Sequence, residues 1–200
     1  MHVPKLSLGV AFAAVAAGAI ALSLAGAGQA ATKMDAKPAA SPAKGAASKA
    51  LLARGQYIAT VAGCNDCHTP GALFGAPDFK RQFAGSELGW KGPWGVTFAK
   101  NLTPDLETGL GYWSDAELER ALRTGVKNDG TQLLPPMPWQ DFAGLSPADM
   151  QALIAYLRSV PPISHKVPDT VPPGQAYSGA TLEFPPPPAW DAPAGAAKPQ

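Results

Sequence analysis

The clearest hydrophobic pattern lies near the end of the chain's central part. Four apolar residues recur at the i, i+3, i+4, i+7 spacing of one helix face: Met150, Leu153, Ile154 and Leu157. Ser146 can cap the first turn, and Pro147 suits the first helical position, where its missing amide hydrogen costs nothing. Pro161 and Pro162 cannot continue a helix. The pattern predicts a helix that begins after Ser146 and ends before Pro161.

Two further helices are predicted by their ends. Ser114 and Glu117 form a capping box before an apolar stripe, and Gly125 is a suitable stop. An earlier helix begins at Ser48 and ends at Gly63, and its apolar positions have spacings compatible with one face: Leu51, Tyr57, Ile58 and Val61. No strong strand pattern is visible, and residues 69–111 are predicted to form one long loop. The sequence therefore predicts a mostly helical domain with one long loop.

The two ends of the chain differ in composition from this central part. Residues 1–30 carry Lys5 and then an apolar, Ala-rich run with a small-residue site at its end, which predicts a signal peptide cleaved after Ala30. An uncleaved membrane anchor is the alternative. Either case predicts export, and we expect a periplasmic protein. Residues 31–49 have the Ala, Pro, Lys and Ser composition of a linker.

The C-terminal end is rich in proline. Eleven of the 22 prolines lie in residues 161–200, so residues 164–200 are predicted to form an extended, Pro-rich extension. This extension is expected to lie on the domain through Tyr177, Phe184 and Trp190, with disorder as the alternative. What remains is one small domain, residues 50–163.

Charge is divided between linker and domain. From residue 50 onward there are 11 Lys or Arg and 14 Asp or Glu, whereas the linker carries four lysines against Asp35. No basic stripe interleaved with aromatic residues is present, which argues against nucleic acid as a partner. The basic linker allows a weak association with anionic lipid, although spread lysines more often keep a linker solvated.

The strongest chemical signal is the string Cys64-Asn65-Asp66-Cys67-His68. Cys-x-x-Cys-His is the attachment signature of c-type haem, in which Cys64 and Cys67 form thioether bonds and His68 binds the iron. Three alternatives are weaker. A structural zinc site needs four ligands, but the chain has no second cysteine pair and its three histidines are widely scattered along the sequence. A thioredoxin-like pair would be expected beside a strand–helix–strand pattern, and a disulfide between such close residues is unfavourable.

The second axial ligand of such an iron has three candidates downstream. Met150 lies on the apolar face of the last helix, which favours core packing. His165 follows two prolines in polar surroundings, which predicts an exposed loop residue. Met137 is flanked by Pro136 and Pro138, which stiffen the backbone around a flexible thioether. We therefore predict His68 and Met137 as the iron ligands.

Weaker expectations concern the surroundings of these ligands. Pro70, or a neighbouring residue, offers a carbonyl to the second ring nitrogen of His68. Four tryptophans are candidates to pack on a haem or bind its propionates: Trp90, Trp94, Trp113 and Trp139. Arg81, Lys91 and Lys100 are candidate cationic partners of the propionates.

Several motifs together resemble a known family. They are the segments 64–68, Asn101-Leu102-Thr103-Pro104-Asp105, residues 108–114, residues 120–126, and Pro135-Pro136-Met137-Pro138-Trp139. They are similar to class I c-type cytochromes, in particular the haem repeat of the cytochrome c subunits of membrane-bound bacterial alcohol and gluconate dehydrogenases. The resemblance covers about residues 50–163. It implies an all-α fold around one covalent haem c, with Cys64 and Cys67 as anchors, His68 proximal and Met137 distal. Those subunits typically carry three haem repeats, whereas this chain has one.

The sequence thus predicts a monohaem electron carrier that transforms no substrate itself. Its expected partners are redox proteins: a dehydrogenase as donor, and an oxidase or another cytochrome as acceptor. The alternative is a haem enzyme or sensor with an exchangeable sixth ligand, such as a peroxidase or a gas-binding protein.

Overall fold

The computed structural model describes residues 47–185. Five α-helices lie in this range: α1 Lys49–Val61, α2 Cys64–His68, α3 Asp115–Thr124, α4 Trp139–Ala143 and α5 Pro147–Ser159. Two short 3₁₀ turns and three short strands complete it: Ala72–Phe74, Phe79–Arg81, β1 Gly89–Gly92, β2 Gly95–Phe98 and β3 Thr181–Glu183. None of the helices within residues 47–185 is both long and apolar enough to cross a bilayer. The predicted signal peptide and nearly all of the predicted linker lie outside the described residues.

The ends of α3 and α5 confirm their prediction from capping residues. The Ser114 hydroxyl accepts from the amide of Glu117, whose carboxylate accepts from the Ser114 amide, so the capping box is formed. Gly125 ends α3 in the left-handed conformation, with φ 73°. Ser146 caps α5, and the whole predicted apolar face of α5 is buried. Local capping chemistry and helical periodicity were sufficient for both elements.

The buried face of α1 differs from the predicted stripe. Ile58 is buried, but Tyr57 and Val61 are exposed. Gly55 and Ala59 are buried instead. The reason is a close approach of two helices, in which small residues of α1 allow contact with the backbone of α5. The pattern of large apolar residues was therefore right for Ile58 and for the partly buried Leu51, and wrong for Tyr57 and Val61.

The contact between α1 and α5 depends on Gly55. A Cβ atom at this position would lie 2.0 Å from the Ala152 carbonyl oxygen and 2.6 Å from the Cβ of Tyr156. Around this crossing a buried cluster has formed from three helices and the loop after α2: Ile58, Ala59, Phe83, Phe142, Ala152, Leu153 and Leu157. The crossing therefore has no room for a side chain at Gly55.

We expect Gly55→Ala to destabilise the protein by about 2–3 kcal/mol, because the helices must separate to admit the methyl group. The better helix propensity of alanine, roughly 1 kcal/mol, offsets only part of a larger steric cost. Gly144→Ala is the matched control, since its Cβ would have an ordinary contact of 3.6 Å with the Asp141 carbonyl oxygen. Denaturant unfolding of both variants measures the difference. Equal free energies of unfolding for the two variants would show that the crossing can relax.

The predicted long loop contains a β-hairpin, so this part of the all-α prediction is wrong. β1 pairs antiparallel with β2, with Gly89 opposite Phe98, and β3 adds in parallel on the other side of β1, giving the order β2-β1-β3. The short helix α4 was also not predicted. The strands have only three or four residues each. Such segments carry too little periodicity to be recognised, and β3 comes from a distant part of the chain.

The C-terminal extension lies against the domain as far as it is described. The rings of Tyr177 and Phe98 have an edge contact with centroids 5.4 Å apart. Phe184 contacts Trp90 and Trp94, with centroids 6.0 and 5.6 Å apart. Trp190, the third predicted contact residue, lies outside the described residues. Ordered contacts thus extend more than 20 residues beyond the end of α5.

Candidate functional site

The two cysteines lie on one short helix. Gly63 adopts a left-handed conformation with φ 67°, which ends α1 and redirects the chain, and α2 then begins at Cys64. The carbonyl of Gly63 accepts from the Asp66 amide at 3.0 Å and closes the first turn. Residues three apart in a helix lie on the same side, so both thiols face one region. The motif was expected at the C-terminal end of the preceding helix, but it forms a helical turn of its own.

The thiols have the properties of anchors rather than of redox-active groups. Both are free, and neither is fully exposed. Burial raises the pKa of Cys64 to about 11 and also raises the pKa of Cys67. Redox-active cysteine pairs have a lowered thiol pKa, because the thiolate is the nucleophile. The thioredoxin-like alternative therefore does not fit. Within residues 47–185, no three His, Cys, Asp or Glu side chains come together as a metal-binding group.

His68 is oriented by one backbone carbonyl. Its Nδ1–H donates to the carbonyl oxygen of Lys100 at 2.6 Å. Burial lowers the pKa of His68, which favours the neutral imidazole, although the hydrogen bond to Lys100 acts in the opposite direction. With its proton on Nδ1, the ring keeps a lone pair on Nε2, which has no hydrogen-bond partner among the described residues. This is the arrangement of a metal-binding histidine, and it fits an axial haem ligand.

The carbonyl that holds His68 was not predictable from the motif. Pro70, the suggested partner, uses its carbonyl to accept from the Asp78 amide at 2.9 Å. Lys100 lies 32 residues after His68 and closely follows the second strand of the hairpin. Backbone carbonyls are common to all residues, so side-chain identity gives no signal for this contact. The hairpin that delivers Lys100 was itself missed.

Met137 lies in the same part of the molecule as Cys64. Both are partly buried and pack against the cluster at the α1–α5 crossing. The loop of Met137 is held on two sides: the Thr97 hydroxyl donates to the Pro135 carbonyl at 2.7 Å, and the Trp139 amide donates to the Met137 carbonyl at 2.9 Å. The structure therefore gives Met137 a constrained backbone, as the flanking prolines indicated. Thr97 was not recognised from the sequence.

The other two candidates for the second axial position have different surroundings. Met150 is 1% exposed and packs with Leu118 and Ile154 in a separate cluster, as expected for a core residue. The prediction for His165 is wrong, because its side chain is only 14% exposed. Its Nδ1 lies 2.7 Å from the Ala84 carbonyl oxygen, and its Nε2 lies 2.7 Å from a carboxylate oxygen of Glu87. Both ring nitrogens are therefore occupied within the protein.

The suggested propionate partners mostly have protein partners already. Lys91 pairs with Glu183, and Arg81 pairs with Asp78. The Lys100 ammonium donates to a backbone carbonyl after α5. The indole N–H of Trp94 donates to the Trp90 carbonyl at 3.2 Å. These side chains stabilise the protein's own loops.

The Asn101–Asp105 motif has a structural role that can be stated from its contacts. Asn101 and Thr103 are 1% and 0% exposed. The Asn101 side-chain oxygen accepts from both the amide and the hydroxyl of Thr103. The Asn101 amide group donates to Thr108 and to the Ile163 carbonyl. This buried network fixes the segment that follows the His68-binding carbonyl.

Comparison with known proteins gives a consistent result. The family model for cytochrome c matches residues 52–161 of the 200-residue chain. The chain is 40% identical over 131 residues to a nicotinate dehydrogenase subunit of Pseudomonas putida, which covers 66% of this chain and 10% of that protein. It is 39% identical over 126 residues to the cytochrome c subunit of a quinone-type alcohol dehydrogenase of Gluconobacter oxydans, covering 62% of this chain and 25% of that protein.

A third relative is the cytochrome c subunit of the gluconate 2-dehydrogenase of Pantoea cypripedii, which is 38% identical over 119 residues, 59% of this chain and 25% of that protein. The chain thus spans between a tenth and a quarter of the length of these curated relatives. Membership of this family implies a covalently bound haem c, which agrees with the free thiols on α2 and the free Nε2 of His68. On the match over residues 52–161 and on this geometry, the chain belongs to the cytochrome c family.

Proposed function

We propose that this protein is a monohaem c-type cytochrome that transfers single electrons in the periplasm, between a dehydrogenase and a downstream respiratory acceptor. The observation that carries the proposal is His68, whose Nδ1–H donates to the Lys100 carbonyl while its Nε2 is free, one position after a pair of free thiols. The family match supports the same chemistry.

Each candidate side chain has one task. Cys64 and Cys67 would hold the cofactor covalently from one helical turn, and His68 would offer its Nε2 lone pair to the iron. Met137 would offer its thioether as the second protein ligand. When bound, haem c supplies an iron that alternates between the ferrous and ferric states. Cys64 and Met137 are both partly buried and pack against the same apolar cluster.

A methionine ligand suits a carrier better than an exchangeable site would. A soft thioether favours ferrous iron and raises the reduction potential relative to two nitrogen ligands. The loop of Met137 is held at Pro135 by Thr97, and the chain turns into α4 directly after Pro138. A ligand held in this way resists replacement by oxygen or peroxide. We therefore favour electron transfer over the alternative of a peroxidase or gas sensor.

The location and partners belong to the same proposal. Residues 1–30 are proposed to be a signal peptide, residues 31–49 a linker, residues 50–163 the cytochrome c domain, and residues 164–200 its extension. The dehydrogenase names of the relatives support a dehydrogenase as the electron donor. The acceptor is proposed to be an oxidase or another cytochrome. Weak membrane association would come from the N-terminal segment.

An absorption spectrum of the exported protein, oxidised and reduced, tests the proposal. We expect covalent haem c, a low-spin spectrum and, in the oxidised state, the weak long-wavelength band that reports iron–sulfur ligation. The physical reason is that two protein ligands give a strong field at the iron. A high-spin spectrum would replace electron transfer by ligand binding or peroxide chemistry. Absence of covalent haem would overturn the proposal altogether.

A further inference from the structure

A segment beyond the matched cytochrome c domain contacts both loops that hold His68. This segment, residues 163–171, follows α5 and is here called the strap. One loop, residues 83–87, binds the backbone of His68, since the Gly85 amide donates to the His68 carbonyl at 2.8 Å. The other loop, residues 99–103, binds the ring of His68 through the Lys100 carbonyl.

The strap binds the first loop through His165 and Val167. The two ring nitrogens of His165 lie 2.7 Å from the Ala84 carbonyl oxygen and 2.7 Å from Glu87. Both partner atoms are hydrogen-bond acceptors. Val167 is buried against Gly85, where an added Cβ would lie only 2.5 Å from its methyl group. The loop that binds the His68 backbone is thus clamped from outside.

The strap binds the second loop through its side chains and backbone. The Lys100 ammonium donates to the Pro168 carbonyl at 2.5 Å, so the residue whose carbonyl holds the His68 ring is itself tied to the strap. Asn101 donates to the Ile163 carbonyl at 2.7 Å, and Thr103 accepts from the Ile163 amide at 3.1 Å. Between the two loops, the Ser86 amide donates to the Ala99 carbonyl at 2.9 Å.

We propose that the strap positions His68. The positioning residues are His165, which joins the strap to the first loop, and Lys100, whose ammonium joins the second loop to the strap. This inference rests on the proposed function, in which His68 is the proximal ligand. The strap acts through the Nδ1–H to Lys100 carbonyl bond, whose length depends on where both loops lie. A hydrogen bond at the second ring nitrogen makes an axial imidazole a stronger electron donor. Loosening the strap is expected to weaken the bond from His68 Nδ1–H to the Lys100 carbonyl. The imidazole then donates less electron density, which favours the ferrous state of the iron.

Four variants of the full exported holoprotein test the strap. Lys100→Met removes the bond to Pro168 but keeps the backbone carbonyl, and Lys100→Arg restores a donor. Lys166→Met is the matched control, because Lys166 is an exposed strap residue and its loss removes the same charge. His165→Phe keeps a planar ring but removes both ring hydrogen bonds.

The first readout is solvent exchange of the His68 Nδ1 proton, followed by nuclear magnetic resonance in the reduced protein. We expect about fivefold faster exchange in Lys100→Met and His165→Phe, the Boltzmann factor for loss of one ordinary protein hydrogen bond. Lys166→Met and Lys100→Arg are expected to exchange at the wild-type rate. If these residues only stabilised another part of the protein, the exchange rate of the His68 Nδ1 proton would not change.

The second readout is the reduction potential. We expect the equilibrium constant for reduction to be about threefold larger in Lys100→Met than in Lys166→Met. At 59 mV per tenfold for one electron, this raises the reduction potential by roughly 28 mV. If Lys100→Met and His165→Phe exchange the His68 proton at the wild-type rate, have the same potential as the control and still show the iron–sulfur band, the proposal for the strap is overturned. The proposed function would then remain intact. A wild-type protein without covalent haem would overturn both. Should His165→Phe fail to fold, the lysine pair decides the question.

Discussion

His68→Ala is expected to abolish formation of stable holoprotein. The imidazole supplies the proximal ligand of the proposed site, and its ring also connects α2 to the Lys100 carbonyl across 32 residues. Removing the ring eliminates the 2.6 Å hydrogen bond and would remove the proposed iron ligand. We expect covalent haem in the exported fraction to fall by at least about tenfold. Loss of a hydrogen-bond partner behind a metal ligand already lowers metal affinity by about this factor, and here the ligand itself is lost. Haem content of purified exported protein measures it.

The matched control for this variant is His165→Ala. It removes the same side chain from a position that is 14% exposed and where both ring nitrogens have partners. We expect it to retain covalent haem, since the His165 ring contacts Ala84 and Glu87 and supplies no ligand in the proposed site. Low-spin protein with normal haem content from His68→Ala would contradict the proximal assignment. Equal haem loss in both variants would indicate a folding defect instead.

Met137→Ala is expected to remove the iron–sulfur band from the oxidised spectrum and to lower the reduction potential. The thioether is the proposed distal ligand, and alanine offers no donor atom in its place. The loop itself should persist, because Thr97 and the backbone bonds around residues 134–141 do not involve the methionine side chain. Absorption spectra and potentiometric titration of the same preparation report both effects.

Met150→Ala is the control, and its expected effect is on stability alone. Met150 is 1% exposed and packs in a cluster with Leu118 and Ile154. Truncating it creates a cavity that costs about 2–5 kcal/mol of unfolding free energy. The iron–sulfur band is expected to remain. If Met150→Ala removed the band and Met137→Ala kept it, the distal assignment would move to Met150.

Sequence alone was sufficient for features that depend on neighbours along the chain. The spacing of Cys64, Cys67 and His68 indicates haem attachment, because residues three positions apart in a helix lie on the same side. Ser114, Glu117 and Gly125 determine the ends of α3 because a cap is a contact between residues within one turn. The choice of Met137 as a ligand rests on adjacent prolines, whose rings constrain neighbouring bonds, and it stays a prediction.

Tertiary structure alone decided which distant groups meet at the site. The Lys100 carbonyl reaches His68 only after a hairpin has formed, and a carbonyl is the same in every residue. Gly55 is buried because α5 comes within contact of its backbone, which no periodicity of α1 reveals. His165 was expected to be exposed, but it binds Ala84 and Glu87 about 80 positions earlier in the chain. Local spacing therefore determined the candidate ligands, whereas long-range backbone contacts decided what holds them, because those contacts are formed by groups that the sequence does not distinguish.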